Sequence, residues 1–275
     1  MPPQKHTLTF GKRTLVMGIL NVTPDSFSDG GKYFSQKEAA VHAKKMVADG
    51  ADIIDVGGES TRPGSAVVSA EEELKRVIPA IKSAADLGVP ISIDTSKPQV
   101  AKAALEAGAT IVNDVYGLRQ DGMVDVAAGF GCRVVIMHMQ GTPKTMQVNP
   151  TYRDVVGDIK DFFNERIVAC EKAGVKKKNI IIDPGVGFGK TLQHNIEIIR
   201  RLQEFKSLGC PVLVGVSRKR FIGDLTGLPT EERLEGTIAA VTACVLNGAD
   251  VVRVHDVKEC VHAVKIADSI ARIKV

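Results

Sequence analysis

The sequence predicts a single (β/α)8 barrel preceded by a small β-hairpin, and three observations predict it. Eight short apolar runs lie between Leu15 and Val254, each ending on polar or glycine-rich residues. Amphipathic helical patterns separate these runs, as parallel βαβ units require. The length, 275 residues, is close to the roughly 250 typical of one such barrel, so a single domain is expected over 1–275. The composition agrees: 44% of residues are hydrophobic, with no Trp and only 4% aromatics. Branched aliphatics therefore have to fill the core, and these dominate barrel interiors.

Leu8–Phe10, Gly11-Lys12 and Arg13–Leu15 read as the hairpin, a plug for the amino-terminal end of the barrel. Leu15–Leu20 is the first run and ends on Asn21. Ser35 opens a helix to Asp49, with Glu38 three residues on and Gly50 as the stop. Ile53–Val56 ends on Gly57-Gly58-Glu59-Ser60-Thr61-Arg62, and Ser69 with Glu72 opens the next helix, to about Leu87. Ile91–Ile93 ends on Asp94; Ser96, with Pro98 near the helix start, opens the third helix. Ile111-Val112 ends on Asn113-Asp114, and Val134–Met137 on His138. A long helix follows from about Tyr152 to Ala173. Ile180–Ile182 ends on Asp183, and Val212–Val216 on Ser217-Arg218-Lys219. Thr230 opens a helix to Leu246, Val251–Val254 ends on His255-Asp256, and the last helix runs from Val257 to Arg272.

A weak internal repeat supports this order. Gly50-Ala51-Asp52, Gly108-Ala109-Thr110 and Gly248-Ala249-Asp250 each link a helix to a buried strand. Their irregular spacing fits barrel units and excludes a solenoid, which needs a fixed period. Long connections at Val22–Phe34, Gly57–Val68 and Met139–Thr151 are candidate substrate lids.

Several function classes are excluded. A net charge of +4 is too small to argue for nucleic acid. The longest near-apolar stretch, Ile238–Leu246, falls far below the ~18 residues of a membrane span. Met1–Lys5 has no apolar signal-peptide region. The five cysteines, an odd count with no C-x-x-C pair, read as buried thiols in a reducing compartment. A cytoplasmic protein is expected.

The chemistry gathers at the strand ends. Ionised carboxylates ending buried strands, such as Asp94 and Asp183, need donors. They serve either to cap helices and brace loops, or to accept paired N–H groups from a heterocycle. Asn113 adds an amide that both donates and accepts, so the three suit a flat ring with mixed donors and acceptors. Lys219, Arg253 and His255 end the last two runs, where such barrels often bind phosphate. An Arg inside an apolar strand also calls for an anionic partner. Gly185–Thr191 resembles a P-loop, but the first glycine of that pattern is replaced by Pro184, so nucleotide triphosphate hydrolysis is rejected. No G-x-G-x-x-G, H-E-x-x-H or paired Cys/His cluster is present. Asn21 either braces its loop or binds Mg²⁺ whose other ligands come largely from a substrate pyrophosphate.

Asn21-Val22-Thr23-Pro24-Asp25-Ser26-Phe27-Ser28-Asp29-Gly30-Gly31 and Gly57-Gly58-Glu59-Ser60-Thr61-Arg62-Pro63-Gly64 resemble the two signatures of the dihydropteroate synthase family. Six shorter strings match in order: Ser92–Thr95, Val112–Asp114, His138–Pro143, Asp183–Lys190, Ser217–Lys219 and Arg253–Asp256. The resemblance implies a pterin-binding barrel joining 6-hydroxymethyl-7,8-dihydropterin diphosphate to p-aminobenzoate, with release of pyrophosphate. It implies that Asp94, Asn113, Asp183, Lys219 and Phe188 hold the pterin. Asn21, Arg253 and His255 would face the diphosphate and its Mg²⁺. Phe27, Thr61, Arg62, Pro63, Phe188 and Lys219 would shape the aminobenzoate site. Arg220 stands where some relatives carry Ser, beside the expected aminobenzoate carboxylate. The resemblance further implies a homodimer through helices around Thr237–Leu246 and Val257–Arg272. The residues alone leave three other readings: a pterin-dependent methyltransferase, a Schiff-base aldolase using Lys219, and a non-catalytic pterin-binding regulator.

Overall fold

The protein, seen in a computed structural model that describes residues 8–23, 36–60 and 68–272, is an eight-stranded parallel barrel. The strands are β1 (Leu15–Asn21), β2 (Ile53–Gly57), β3 (Ile91–Asp94), β4 (Ile111–Asp114), β5 (Arg133–Met137), β6 (Ile180–Asp183), β7 (Leu213–Gly215) and β8 (Val251–Val254). Their order is β6-β5-β4-β3-β2-β1-β8-β7, and a parallel bridge between Ile182 and Val212 closes the ring. The expected barrel is therefore formed.

Its wall is lined by α1 (Gln36–Ala48), α2 (Ala70–Ala84), α3 (Pro98–Glu106), α4 (Met123–Phe130), α5 (Val155–Lys172) and α6 (Leu192–Arg200). Two helices, α7 (Arg220–Thr226) and α8 (Leu234–Leu246), lie between β7 and β8, and α9 (Val257–Arg272) follows β8. The repeat glycines Gly50, Gly108 and Gly248 all adopt positive φ, at 102°, 119° and 97°. That conformation turns the chain from helix into strand at little steric cost.

Side chains alternate along each strand, so every second residue points into the barrel. The amino-terminal half of the interior is apolar: Leu15, Met17, Ile53, Ile111, Val135, Ile181, Leu213 and Val251 form one buried cluster. Leu8 and Phe10 pack against it, which agrees with a plug at that end. The hairpin itself is absent: residues 8–14 form no strand, and only Leu15 of that segment pairs, within β1. One step higher the inward positions become polar, with Asp55, Ser92, Asn113, Asp183 and Arg253. The strand sequences thus build an apolar floor and a polar mouth.

Several helix starts differ from expectation for local reasons. Ser69 does cap α2, accepting from the Glu72 N–H at 3.2 Å. Ser96 does not cap α3; Lys97 occupies the cap position without a side-chain bond and Pro98 is the first helical residue. α5 begins at Val155 because Asp154 accepts from Val156 N–H, leaving Tyr152 to bond the Gly189 carbonyl at 2.7 Å. Thr230–Glu232 form only a 3-10 turn, since Arg233 leaves helical geometry and donates to the Leu228 and Arg218 carbonyls. α4, α6 and α7 are short and were not legible as periodic patterns. The five cysteines are buried and unbridged. Among the described residues no helix is long and apolar enough to cross a membrane.

Candidate functional site

The polar mouth is held together by Arg253 of β8. Its Nε donates to Asp55 Oδ2 at 2.6 Å and its Nη2 to Asp94 Oδ2 at 2.6 Å. Asn113 Nδ2 reaches the same Asp55 oxygen at 3.1 Å. The anionic partner expected for Arg253 is thus a pair of carboxylates. Burial pushes the Asp94 carboxyl up to about 7; Arg253 pulls it down and Asp55 adds to the rise. Burial opposes the charge of Arg253, but Asp55 and Asp94 overcome it and keep the guanidinium firmly protonated. Nη1 has no partner among the described residues.

A second part of the mouth comes from β6 and the glycine-rich turn after it. Asp183 is buried, and its Oδ1 accepts the Gly185 N–H at 2.8 Å. It therefore braces its own turn while its carboxylate remains near Lys219 and Arg253, whose charges counter the upward push of burial. The turn is packed tightly. Gly185 has φ 66°, and a Cβ there would collide with the His138 carbonyl. Phe188 N–H donates to the Gly185 carbonyl at 3.0 Å, and the Phe188 ring lies 4.6 Å from Lys219 Nζ. Lys219 Nζ also donates to the Val186 carbonyl. Burial brings Lys219 down to about 8, against the pull of Asp183.

Lys190 closes this turn from behind. It is 3% exposed, and its Nζ reaches Phe188 O at 2.8 Å, His138 Nδ1 at 3.0 Å and His138 O at 3.4 Å. One amine nitrogen thus meets two main-chain carbonyls and a ring nitrogen, which ties the β5 and β6 turns together. Burial holds the Lys190 amine well below the usual lysine range, with Asp183 opposing. Burial likewise keeps His138 neutral, down to about 2.

The third part is the pair of turns after β7 and β8. Ser217 Oγ lies 3.0 Å from His255 Nδ1 and accepts the His255 main-chain N–H at 3.2 Å. Arg218, at φ 55°, forms a two-pronged ion pair with Asp256, at 2.9 and 2.5 Å. Arg218 is thus a brace between two turns. Arg220 opens α7 with an 85% exposed side chain and a loose 3.5 Å contact to Asp224.

Of the expected site residues, Asp94, Asn113, Asp183, Lys219, Phe188 and Arg253 converge on the mouth. His255 stands at its β7–β8 rim, and Asn21 at the β1 rim, paired in register with Gly57. Phe27, Thr61, Arg62 and Pro63 lie outside the described residues. Sequence reasoning missed Asp55, Lys190 and Ser217. Asp55 alternates with Ile53 and Gly57 on the inner face of β2, which was a legible signal. Lys190 was hidden in the glycine string that failed as a P-loop. Among the described residues no three His, Cys, Asp or Glu side chains gather as a metal cage.

A protein-family profile described as pterin binding enzyme matches residues 17–255. The chain is 51% identical over 255 residues to the dihydropteroate synthase of Escherichia coli K12, covering 92% of this chain and 90% of that protein. It superposes on a Yersinia pestis dihydropteroate synthase in a sulfonamide drug complex with a TM-score of 0.94 and 44% identity, covering 99% of each chain. A Xanthomonas albilineans dihydropteroate synthase with 4-aminobenzoic acid gives 0.89 and 46%, covering 95% of this chain and 94% of the other.

Proposed function

The chain belongs to the pterin-binding enzyme family, and on that premise we propose that it catalyses the dihydropteroate synthase reaction of folate biosynthesis. 6-Hydroxymethyl-7,8-dihydropterin diphosphate and p-aminobenzoate condense to dihydropteroate and pyrophosphate. The observation that carries this reading is the polar mouth. Asp55, Asp94, Asn113, Asp183, Lys219 and Arg253 come from separate strands and turns and act on one another within it.

In this reading Asp183 and Asn113 take the donor edge of the pterin ring, with Asp94 beside them. Lys219 offers its ammonium to a ring acceptor. Asp55 and Asp94 hold Arg253 charged and oriented. Its remaining donors and His255 then face the diphosphate. The C–O bond to the diphosphate breaks, and the electron pair leaves with pyrophosphate. The pterin methylene becomes electron-poor, and the carboxylates polarise the ring that stabilises it. The neutral arylamine attacks this carbon, and the proton that its nitrogen then loses passes to water. No strong base is required, so catalysis is chiefly positional and electrostatic. Phe188 and Lys219 form the described wall of the aminobenzoate site. Phe27, Thr61, Arg62, Pro63 and Arg220 complete it in this reading.

Asn21 offers one amide carbonyl, which suits a Mg²⁺ ligated mainly by diphosphate oxygens and water. When bound, Mg²⁺ neutralises charge on the departing pyrophosphate. The same reading extends to a homodimer through α8 and α9, supported by exposed Leu246, Ile266 and Ile270. It places the reaction in the cytoplasm, a reducing compartment that suits five free thiols.

A pyrophosphate-release assay tests the activity. Release that requires both the pterin diphosphate and p-aminobenzoate is expected. Pterin binding without turnover would leave a regulator and overturn the proposal.

A further inference from the structure

Ser217 makes two hydrogen bonds, and both go to His255. The His255 main-chain N–H donates to Ser217 Oγ at 3.2 Å, while Oγ lies 3.0 Å from the ring Nδ1. A serine hydroxyl has one proton and two lone pairs. The main-chain N–H takes one lone pair, which leaves two arrangements. If Nδ1 carried a proton and donated it, the hydroxyl proton would need an acceptor elsewhere. Ser217 is 5% exposed, and among the described residues Oγ has no other partner. The proton would be stranded in a buried place, an arrangement proteins avoid. If the hydroxyl donates to Nδ1, every group is satisfied.

We propose that Ser217 is a positioning residue that sets the tautomer of His255, holding the imidazole neutral at Nδ1 with its proton on Nε2. The surrounding turns keep this pair in register. Arg218 clamps Asp256, the residue after His255, by two hydrogen bonds. Arg218 N–H in turn donates to Thr237 Oγ1 at 2.9 Å, anchoring the Ser217 turn to α8. Resting on the proposed reaction, the consequence is catalytic. Nε2–H is then a fixed donor for the charge that grows on the departing diphosphate, with no ring rotation or proton exchange needed.

The tautomer is directly observable. Long-range proton–nitrogen NMR on protein labelled with ¹⁵N-histidine, at neutral pH, distinguishes a bare ring nitrogen from a protonated one. The His255 signals are assigned by their loss in His255→Gln. The wild type is expected to show a bare Nδ1 and a protonated Nε2. Ser217→Ala should mix the tautomers and lower kcat about tenfold, with KM for the pterin diphosphate changed less than about twofold. Ser217→Thr, which keeps the hydroxyl, should restore both. A protonated Nδ1 in the wild type would overturn the proposal, and that measurement holds even if Ser217→Ala fails to fold. An unchanged tautomer in a folded Ser217→Ala would overturn it too. The readout uses free protein, so a wild type that released no pyrophosphate would sink the activity reading while the tautomer still judged Ser217.

Discussion

Asp183 does two jobs with one carboxylate: Oδ1 accepts the Gly185 N–H, and the group faces Lys219 and Arg253 across the barrel mouth. Asp183→Ala should weaken pterin binding by about 1.5–3 kcal/mol, the cost of losing charge-assisted hydrogen bonds. Calorimetry checks this, and an unchanged pterin affinity with an intact fold would exclude the role. The two perturbed groups beside it give a pH signature. Asp94 accepts with both oxygens and full charge only when ionised, so binding should rise with pH through about 7. Lys219 donates as an ammonium, so binding should fall again above about 8. A bell-shaped pterin affinity is therefore expected, with the alkaline limb moving up in Lys219→Arg. A profile flat between about pH 6 and 9 would refute these assignments. Asp94, Asp183 and Lys219 were legible because each terminates an apolar run. Asp55 was not singled out because it sits inside one, although its alternation with Ile53 marks the inner face; its partner Arg253 is set only by the closed barrel.

At the scale of elements, the turn after β6 shows how close packing makes a site. Gly185 has φ 66° and faces the His138 carbonyl, whereas Gly88 has φ 80° with nothing within 4 Å of a would-be Cβ. Gly185→Ala should therefore cost more than Gly88→Ala. The strain of a left-handed alanine, about 1–2 kcal/mol, applies to both, and the collision to Gly185 alone. Thermal melting should show the larger drop for Gly185→Ala, together with weaker pterin binding, because Asp183 Oδ1 is held by the Gly185 N–H. Equal drops would mean that the turn yields easily. Helix ends show what sequence can and cannot say. Ser69 caps α2, whereas the equally suitable Ser96 is passed over for Lys97. Lys97 is committed elsewhere, to Glu59 at 2.5 Å and Glu73 at 2.6 Å. Those partners lie 38 and 24 residues away, beyond the reach of local pattern.

For the molecule as a whole, the barrel closes through one bridge between Ile182 and Val212, the seam between β6 and β7. Asp183 follows directly on one side of that seam, so the site borders the part of the barrel with the fewest strand hydrogen bonds. On the outer wall, Ile266 and Ile270 are 65% and 66% exposed and lie four residues apart on α9, hence on one face. With Leu246 of α8 they form the surface proposed for the dimer. Sedimentation should show a dimer for the wild type and a monomer for Ile266→Glu/Ile270→Glu, with the barrel's melting temperature little changed. A monomeric wild type would remove the proposal.

The sequence by itself determined the barrel, the order of its strands, the buried thiols and most of the polar groups at the strand ends. Those features are written locally: apolar runs select strands, helical periodicity selects crossovers, and a polar residue ending a run marks the mouth. Tertiary structure decided the partnerships. Arg253 meets Asp55 and Asp94 across 198 and 159 residues, Lys190 meets His138 across 52, and Ser217 meets His255 across 38. The amino-terminal hairpin failed for the same reason: Leu8 and Phe10 pack under the barrel floor, and Leu15 of the expected second strand pairs with Val251 of β8 instead. Hydrogen bonds and burial act through space, and only the closed ring brings distant strand ends within a few ångströms.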